Sequence, residues 1–280
     1  MVKKGIGYFT THSIARVTPA GYYIEVEEGT AFLPSKKLEV SFEEGDEVEV
    51  FIYHDKDGHL TATLKKPLLQ LSECEVLKIK SILDSGAFAD IGIERDLFIP
   101  HAEQQETVLP DESYPVVMYL DEKSERLAGS TKVDNFLKEV IESGELKEGE
   151  EKDLLIVKET ELGFKAVFDK NCLGVLYHNE LKIPVQVGMK LKGYIKLHRE
   201  DGKVDLSLRK PGFNEILDAK EIIIGKLELE KGFLPYHDKS DPDEIKKVFG
   251  MSKRTFKAAV GNLMKDGKIS LSEKGISLKK

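Results

Sequence analysis

The residues from His54 to His59 form the densest group of side chains that could bind a metal. They read His-Asp-Lys-Asp-Gly-His, with two imidazoles and two carboxylates. Zinc sites in proteins take three or four ligands, and no cysteine or third fixed ligand stands near these histidines. Asp57-Gly58 is also a strong hairpin signal, so both residues already have a role in a turn. We therefore expect no metal site.

Motifs that would indicate catalysis are missing from the sequence. Gly5-Ile6-Gly7 lacks the third glycine and the following helix of a dinucleotide-binding loop. There is no Walker loop, nucleophile elbow or zincin motif. Cys172, which precedes a leucine, is typical of a packed thiol, and the two cysteines cannot form a disulfide framework. We expect neither an enzyme nor a bound cofactor.

Cations near the C-terminus suggest contact with phosphate. They lie on one face of a predicted helix: Lys253, Arg254, Lys257 and Lys265. The opposite face is apolar, and such a helix could enter a DNA major groove, hold RNA phosphates or simply face solvent. Gly261 in this helix costs about 1 kcal/mol relative to alanine, which favours a close approach by another helix or by a phosphate.

The charge of the chain is unevenly divided. The 280 residues carry a formal net charge of −8, which is unlike a simple nucleic-acid binder. Residues 211–280 nevertheless have a net charge of +3, and the rest of the chain has −11. The basic C-terminal end therefore has a local field that the overall charge hides.

The elements that would position these residues begin with a threefold repeat. Each repeat starts a strand-like run with a glycine, at Gly21, Gly86 and Gly163, and continues with further runs of period-two alternation. Asp57-Gly58 and Asp201-Gly202 predict hairpins between the last two strands. About five short strands per repeat are typical of a Greek-key barrel of the OB type.

Beyond residue 211 the apolar period changes from two to nearly four. The signals predict a first helix that ends at Gly232, a second capped by Asp241 and ended by Gly250, and a third capped by Ser252. A hairpin follows over residues 269–278. Three helices and a terminal ribbon are typical of a winged helix.

The predicted fold is mainly β with a C-terminal α+β domain. It consists of three tandem five-stranded OB-type barrels followed by a winged helix. The predicted barrels cover residues 1–67, 68–133 and 150–211, and the winged helix covers 212–280. A linker helix is expected over 134–149, because Phe136, Leu137, Val140 and Ile141 have helical spacing.

The order of motifs resembles two known patterns. Gly-x-aromatic, a Gly-Asp-x-Val-x-Val run and a final strand such as Val204-Asp205-Leu206-Ser207-Leu208-Arg209 resemble the S1 RNA-binding pattern over about residues 5–210. The full order, ending in the helix that begins Ser252-Lys253-Arg254-Thr255-Phe256-Lys257, resembles the bacterial conserved virulence factor B family. The resemblance implies an RNA-binding post-transcriptional regulator.

The resemblance also implies which residues would hold RNA, by stacking of bases on aromatic rings with cations nearby. In the barrels they are Tyr23, His59, Phe88, Arg126, Lys165, Tyr177, Arg199 and Lys203. Phe32 and Phe98 are one position off in the alternation, so we expect them in the core.

The expected partner is single-stranded RNA in a reducing cytoplasm. The N-terminus has no apolar run after its lysines, and no segment approaches the roughly 20 apolar residues that span a membrane. Two alternatives stay open. The winged helix could bind duplex DNA as a transcription factor does, or the acidic barrels could bind a protein as a scaffold.

Overall fold

The computed structural model describes residues 5–27, 29–142, 146–181, 183–210 and 213–279. Three closed five-stranded barrels are followed by three α-helices and a three-stranded sheet. The chain divides into two compact units, Met1–Leu208 and Arg209–Lys280. The predicted fold class is therefore confirmed, and the three barrels share one unit.

Each barrel has the same strand order, in which the third and fifth strands pair in parallel and close the sheet. The first consists of β1 (Phe9–Thr18), β2 (Gly21–Val26), β3 (Gly29–Pro34), β4 (Glu47–His54) and β5 (Leu60–Thr63). The second consists of β6 (Cys74–Leu83), β7 (Gly86–Ala89), β8 (Leu97–Pro100), β9 (Ser113–Asp121) and β10 (Arg126–Ser130). The third consists of β11 (Glu151–Glu159), β12 (Gly163–Phe168), β13 (Cys172–Tyr177), β14 (Lys190–His198) and β15 (Val204–Ser207).

The second strand of each barrel begins with a glycine because the backbone of the third strand lies too close to leave room for a side chain. A Cβ on Gly21 would lie 2.2 Å from the carbonyl oxygen of Leu33, and one on Gly86 would lie 2.3 Å from that of Ile99. The third-barrel equivalent, Gly163, has the same contact at 1.9 Å. Since no other residue fits so close to a carbonyl, this glycine fixes where the second and third strands meet.

The barrels are joined by shared apolar packing. Val50 and Ile52 on β4 fill the first barrel, whereas Phe51 and Tyr53 on the opposite face of the same strand join the core cluster of the second barrel. A further cluster, which contains Val117 and other buried residues, brings β9 of the second barrel together with β11, β12 and β13 of the third. Both faces of β4 are therefore buried from Val50 to Tyr53.

The predicted linker helix over 134–149 is wrong for the described part of that segment. Val133–Asn135 form a single 3-10 turn, and no helix continues over residues 136–142 or 146–149. Instead, Lys138 makes an isolated parallel bridge with Cys172, and the Ile141 N–H donates to the Gly202 carbonyl at 2.9 Å.

The helical spacing predicts which side chains are buried, but it does not determine the backbone conformation. Leu137 and Ile141 are buried, as their spacing predicts, whereas Val140 of the same predicted face is 62% exposed. Leu137 ends a short turn in which its N–H donates to the Val133 carbonyl, whereas the backbone from Lys138 to Ile141 bonds to the third barrel instead of continuing as a helix. We call residues 132–141 the bridging segment.

The C-terminal unit has α1 (Phe213–Leu229), β16 (Phe233–Leu234), α2 (Pro242–Phe249), α3 (Lys253–Lys265), β17 (Ile269–Ser272) and β18 (Gly275–Leu278). The caps of α2 and α3 agree with the sequence. Asp241 accepts the N–H groups of Asp243 and Glu244, Ser252 accepts that of Thr255, and Gly250 ends α2 in the left-handed conformation.

Candidate nucleic-acid interface

Two aromatic rings stand side by side on the outer face of the first barrel. Tyr23 on β2 is the register partner of Phe32 on β3, and their ring centroids are 5.2 Å apart. The guanidinium carbon of Arg16 on β1 lies 4.1 Å from the centre of the Tyr23 ring. Both rings are half-buried, whereas Ile24 and Leu33 next to them fill the core. This face offers an apolar platform beside a cation, which suits a stacked base and its phosphate.

The second barrel repeats the same pair. Phe88 on β7 is the register partner of Phe98 on β8, with centroids 5.2 Å apart and rings inclined at 47°. In the first barrel the corresponding angle is 49°. Because the sequences differ around these rings, the shared geometry comes from the barrel topology.

The expectation that Phe32 and Phe98 lie in the core is wrong. Both are half-buried on the outer face, while Ala31 and Leu97 beside them are buried. Period-two alternation along a single strand does not give the register between neighbouring strands. Across an antiparallel pair, residues directly opposite share a face, so each of these rings belongs with Tyr23 or Phe88.

A groove runs along the aromatic pair of the second barrel. It has a volume of about 450 Å³ and is lined by Phe88, Phe98, Arg95 and Arg126, together with side chains of the first barrel. Neither arginine has an ion pair within the described ranges. Of these four residues, Phe88 and Arg126 were implied by the resemblance. Arg95, in the turn before β8, has no signal in the S1 pattern.

The contacts of His59 are with its own hairpin and not with the ring pair of the first barrel. It stands at the hairpin between β4 and β5, its side chain is 79% exposed, and its Nδ1 is 3.7 Å from a carboxylate oxygen of Asp55. Gly58 in the same hairpin comes close to the second barrel, since a Cβ there would lie 3.1 Å from Nη2 of Arg126. The structure therefore does not place His59 against Tyr23.

On the third barrel the implied lysines are paired within the protein. Lys165 lies 3.1 Å from a carboxylate oxygen of Glu139 and 3.4 Å from one of Asp134. Lys203 lies 3.8 Å from Glu139. Burial acts to lower the pKa of Lys165, but the two carboxylates outweigh burial and raise it. Val175 stands opposite Lys165, where the other barrels have Phe32 and Phe98.

The other implied residues of the third barrel form a second internal network. Arg199 Nε donates to Asp205 Oδ1 at 2.9 Å, and a terminal nitrogen of Arg199 donates to the Tyr177 hydroxyl. Burial, followed by the charge of Asp205, raises the pKa of Tyr177. The cavity over this face is only about 30 Å³. Whether these residues contact RNA stays a prediction.

The basic face of α3 is accessible. Arg254, Lys257 and Lys265 are exposed and Lys253 is partly exposed, and none of them has an ion pair in the part of the chain that the structure describes. A Cβ on Gly261 would meet no atom within 4 Å. Packing against the described residues therefore does not require this glycine.

The hairpin residues Asp55, Asp57 and His59 bring possible ligand atoms within 4.8 Å of one another. Asp55 Oδ1 already accepts the backbone N–H groups of Asp57 and His59, both at 2.9 Å. Slight burial acts to raise the pKa of Asp55, but these N–H groups lower it on balance. The carboxylate therefore has a structural role in the turn.

Comparisons with known proteins match both kinds of domain. The S1 domain family matches residues 6–65, and the CvfB-like winged helix domain matches residues 221–278. A Bacillus subtilis relative, named uncharacterized protein YitL, is 30% identical over 279 residues, which cover 94% of this chain and 90% of that protein. Conserved virulence factor B of Staphylococcus epidermidis is 28% identical over 258 residues, covering 85% and 84%. In the Staphylococcus aureus protein of the same name, 28% identity extends over 250 residues, covering 84% and 82%.

A solved structure from Streptococcus pneumoniae is described as a multidomain protein with nucleic acid binding domains. It is 23% identical, covers 98% of both chains and has a TM-score of 0.42.

Tandem S1-type barrels and a winged helix define a class of proteins built from nucleic-acid-binding modules, and neither matched domain family is a family of enzymes. Because the similarity to these relatives extends over most of its length, the chain belongs to the conserved virulence factor B family. The predicted family is thus confirmed. No helix among the described residues is long and apolar enough to cross a membrane.

Proposed function

We propose that the chain is a cytoplasmic post-transcriptional regulator that binds single-stranded RNA on the outer faces of its first two barrels. The observation that carries this proposal is the repeated ring pair. Tyr23 with Phe32, and Phe88 with Phe98, have the same 5.2 Å spacing on equivalent strands. Each pair has an arginine nearby, namely Arg16 in the first barrel and Arg126 in the second.

Single strands suit these faces because a base must leave its own stack before it can lie on a protein ring. Stacking on an aromatic side chain contributes about 1–3 kcal/mol per base and tolerates different sequences. The choice of RNA over DNA is supported by the resemblance of the repeats to the S1 RNA-binding pattern.

Because the barrels have a net negative charge, tight binding requires several domains to contact the same RNA strand. The acidic body repels phosphates, so each barrel binds weakly by itself. The four cations of α3 that the sequence singled out supply phosphate contacts in the second compact unit. Sites linked in one chain bind a long strand much more tightly than any of them alone.

Duplex DNA is the second candidate ligand, because α3 occupies the position of a recognition helix in a winged helix and has an accessible basic face. In a DNA-binding transcription factor the barrels would not be the nucleic-acid-binding domains. The two proposed functions therefore predict different preferences of the full chain, for duplex DNA or for single-stranded RNA.

The test is a competition experiment with the full-length protein. A fluorescently labelled U12 RNA is bound at 50 mM salt, and unlabelled U12, A12 or a 12-base-pair DNA duplex is then added. The proposal predicts that the unlabelled RNA strands displace the probe at concentrations at least tenfold lower than the duplex does. A preference for the duplex would favour a transcription factor, and no binding of either nucleic acid would favour a protein scaffold.

A further inference from the structure

The groove along Phe88 and Phe98 has a second wall, which comes from the first barrel. Tyr53 and His54, at the end of β4, line it together with the ring pair of the second barrel. Tyr53 is held there because its ring packs in the core cluster of the second barrel. The groove is therefore a joint feature of two barrels.

The cations of this groove are unpaired although carboxylates are close by. Asp96 is paired with Lys80 at 2.8 Å, and Asp121 accepts the Ser124 hydroxyl at 2.8 Å. Arg95 and Arg126 line the same groove without an ion pair in the described chain. A guanidinium with unpaired donors binds phosphate strongly and in a directed way.

His54 adds a polar group that the protein leaves unpartnered. Its Nδ1 is buried in the wall and has no hydrogen-bond partner among the described residues. Buried polar atoms are nearly always paired, so an unpaired one requires an explanation. The His54 side chain also lines the groove, and the torsional preference about its Cβ–Cγ bond is broad.

From these observations we propose that the groove holds one nucleotide of a bound RNA strand and discriminates between bases. The base stacks on the Phe88–Phe98 wall and its polar edge bonds to His54, while Arg95 and Arg126 bind the adjoining phosphate. The volume of about 450 Å³ falls in the range of small-ligand sites, about 300–1,000 Å³. This inference rests on the proposed function and adds a specific position to an otherwise sequence-tolerant surface.

The test compares His54→Phe with His101→Phe in the full-length protein, since His101 is exposed and does not line the groove. Phenylalanine keeps the ring at position 54 and removes the unpartnered nitrogen, so the fold is retained, which thermal unfolding verifies. Affinities for labelled U8, A8 and C8 RNA are measured by anisotropy. We expect the wild type and the exposed-site control His101→Phe to separate the tightest from the weakest octamer by at least threefold. In His54→Phe we expect that ratio to fall close to one.

A second pair of variants tests the phosphate contact. Arg95→Gln is expected to weaken binding of all three octamers by about fivefold, whereas Lys56→Gln, at the tip of the nearby hairpin, changes it by less than twofold. A wild type without base preference, a His54→Phe variant that keeps it, or equal effects of the two charge changes would overturn the proposal. Failure of the proposed function itself is distinct, because the wild type would then bind none of the octamers.

Discussion

At the scale of single residues, the proposed contact between the ring pairs and RNA is made by the aromatic surfaces of the rings and not by hydrogen bonds. Tyr23 is the only one of the four rings with a hydroxyl, and its equivalent, Phe88, has the same position without one. The Arg16 guanidinium contacts the face of the Tyr23 ring. The ring alone is therefore the feature that the two barrels share.

This leads to a prediction for Tyr23. Tyr23→Phe is expected to bind U12 within twofold of wild type, because the stacking surface is kept. Tyr23→Ala is expected to bind about tenfold more weakly, since about 1.4 kcal/mol of stacking is lost. Fluorescence anisotropy measures both affinities. If the Phe variant is as weak as the Ala variant, the hydroxyl and not the ring makes the contact.

Sequence reasoning located half of each ring pair. The aromatic residue after the strand-opening glycine identified Tyr23 and Phe88. Phe32 and Phe98 were assigned to the core, because which face a residue occupies depends on register against the neighbouring strand. The sequence also could not predict that Arg95 has no ion pair among the described residues. This depends on which nearby carboxylates already have a partner, as Asp96 has in Lys80.

At the scale of elements, the bridging segment accounts for the difference between the third barrel and the other two. Asp134 and Glu139 place carboxylates against Lys165 and Lys203, where an RNA phosphate would otherwise bind. Lys158 also pairs with Asp134, at 2.8 Å. The third barrel is therefore expected to contribute little through this face while the bridging segment is docked.

Removing these carboxylates should expose the lysines. Asp134→Asn with Glu139→Gln is expected to strengthen binding of U12 at 50 mM salt by at least threefold. The salt dependence should steepen by about 1.4 in log Kd per log salt, as two added phosphate contacts on a single strand require. The measurement is a binding isotherm at several salt concentrations.

A matched control makes the same change in charge elsewhere on that barrel. Glu151→Gln with Asp153→Asn releases Lys192 of β14, which pairs with both of these β11 carboxylates. An equal gain in the two double variants would show a general effect of charge and would remove the special role of the bridging segment.

The elements themselves were mostly predictable. The strand-opening glycines, the Asp-Gly hairpins and the caps at Asp241 and Ser252 are local signals that the structure retains. The helical spacing of Phe136, Leu137, Val140 and Ile141 predicts a helix over residues 134–149, which include most of the bridging segment. Its true conformation depends on backbone partners at Cys172 and Gly202, which are distant in sequence.

At the scale of the whole molecule, the chain combines an acidic unit of barrels with a basic winged-helix unit. Stacking supplies binding energy that salt does not screen, whereas the cations of α3 supply binding that salt weakens. The two kinds of contact can therefore be separated in one experiment. Removing a ring should lower affinity equally at every salt concentration.

The most direct measurement of the central claim is the affinity of Phe88→Ala for U12 from 50 to 300 mM salt. Tyr194→Ala on β14 of the third barrel is the control, and thermal unfolding verifies that both variants are folded. We predict that Phe88→Ala binds about tenfold more weakly than wild type with an unchanged salt slope, while the control is unaffected. If Phe88→Ala binds as wild type does, RNA is not held on the ring pair of the second barrel.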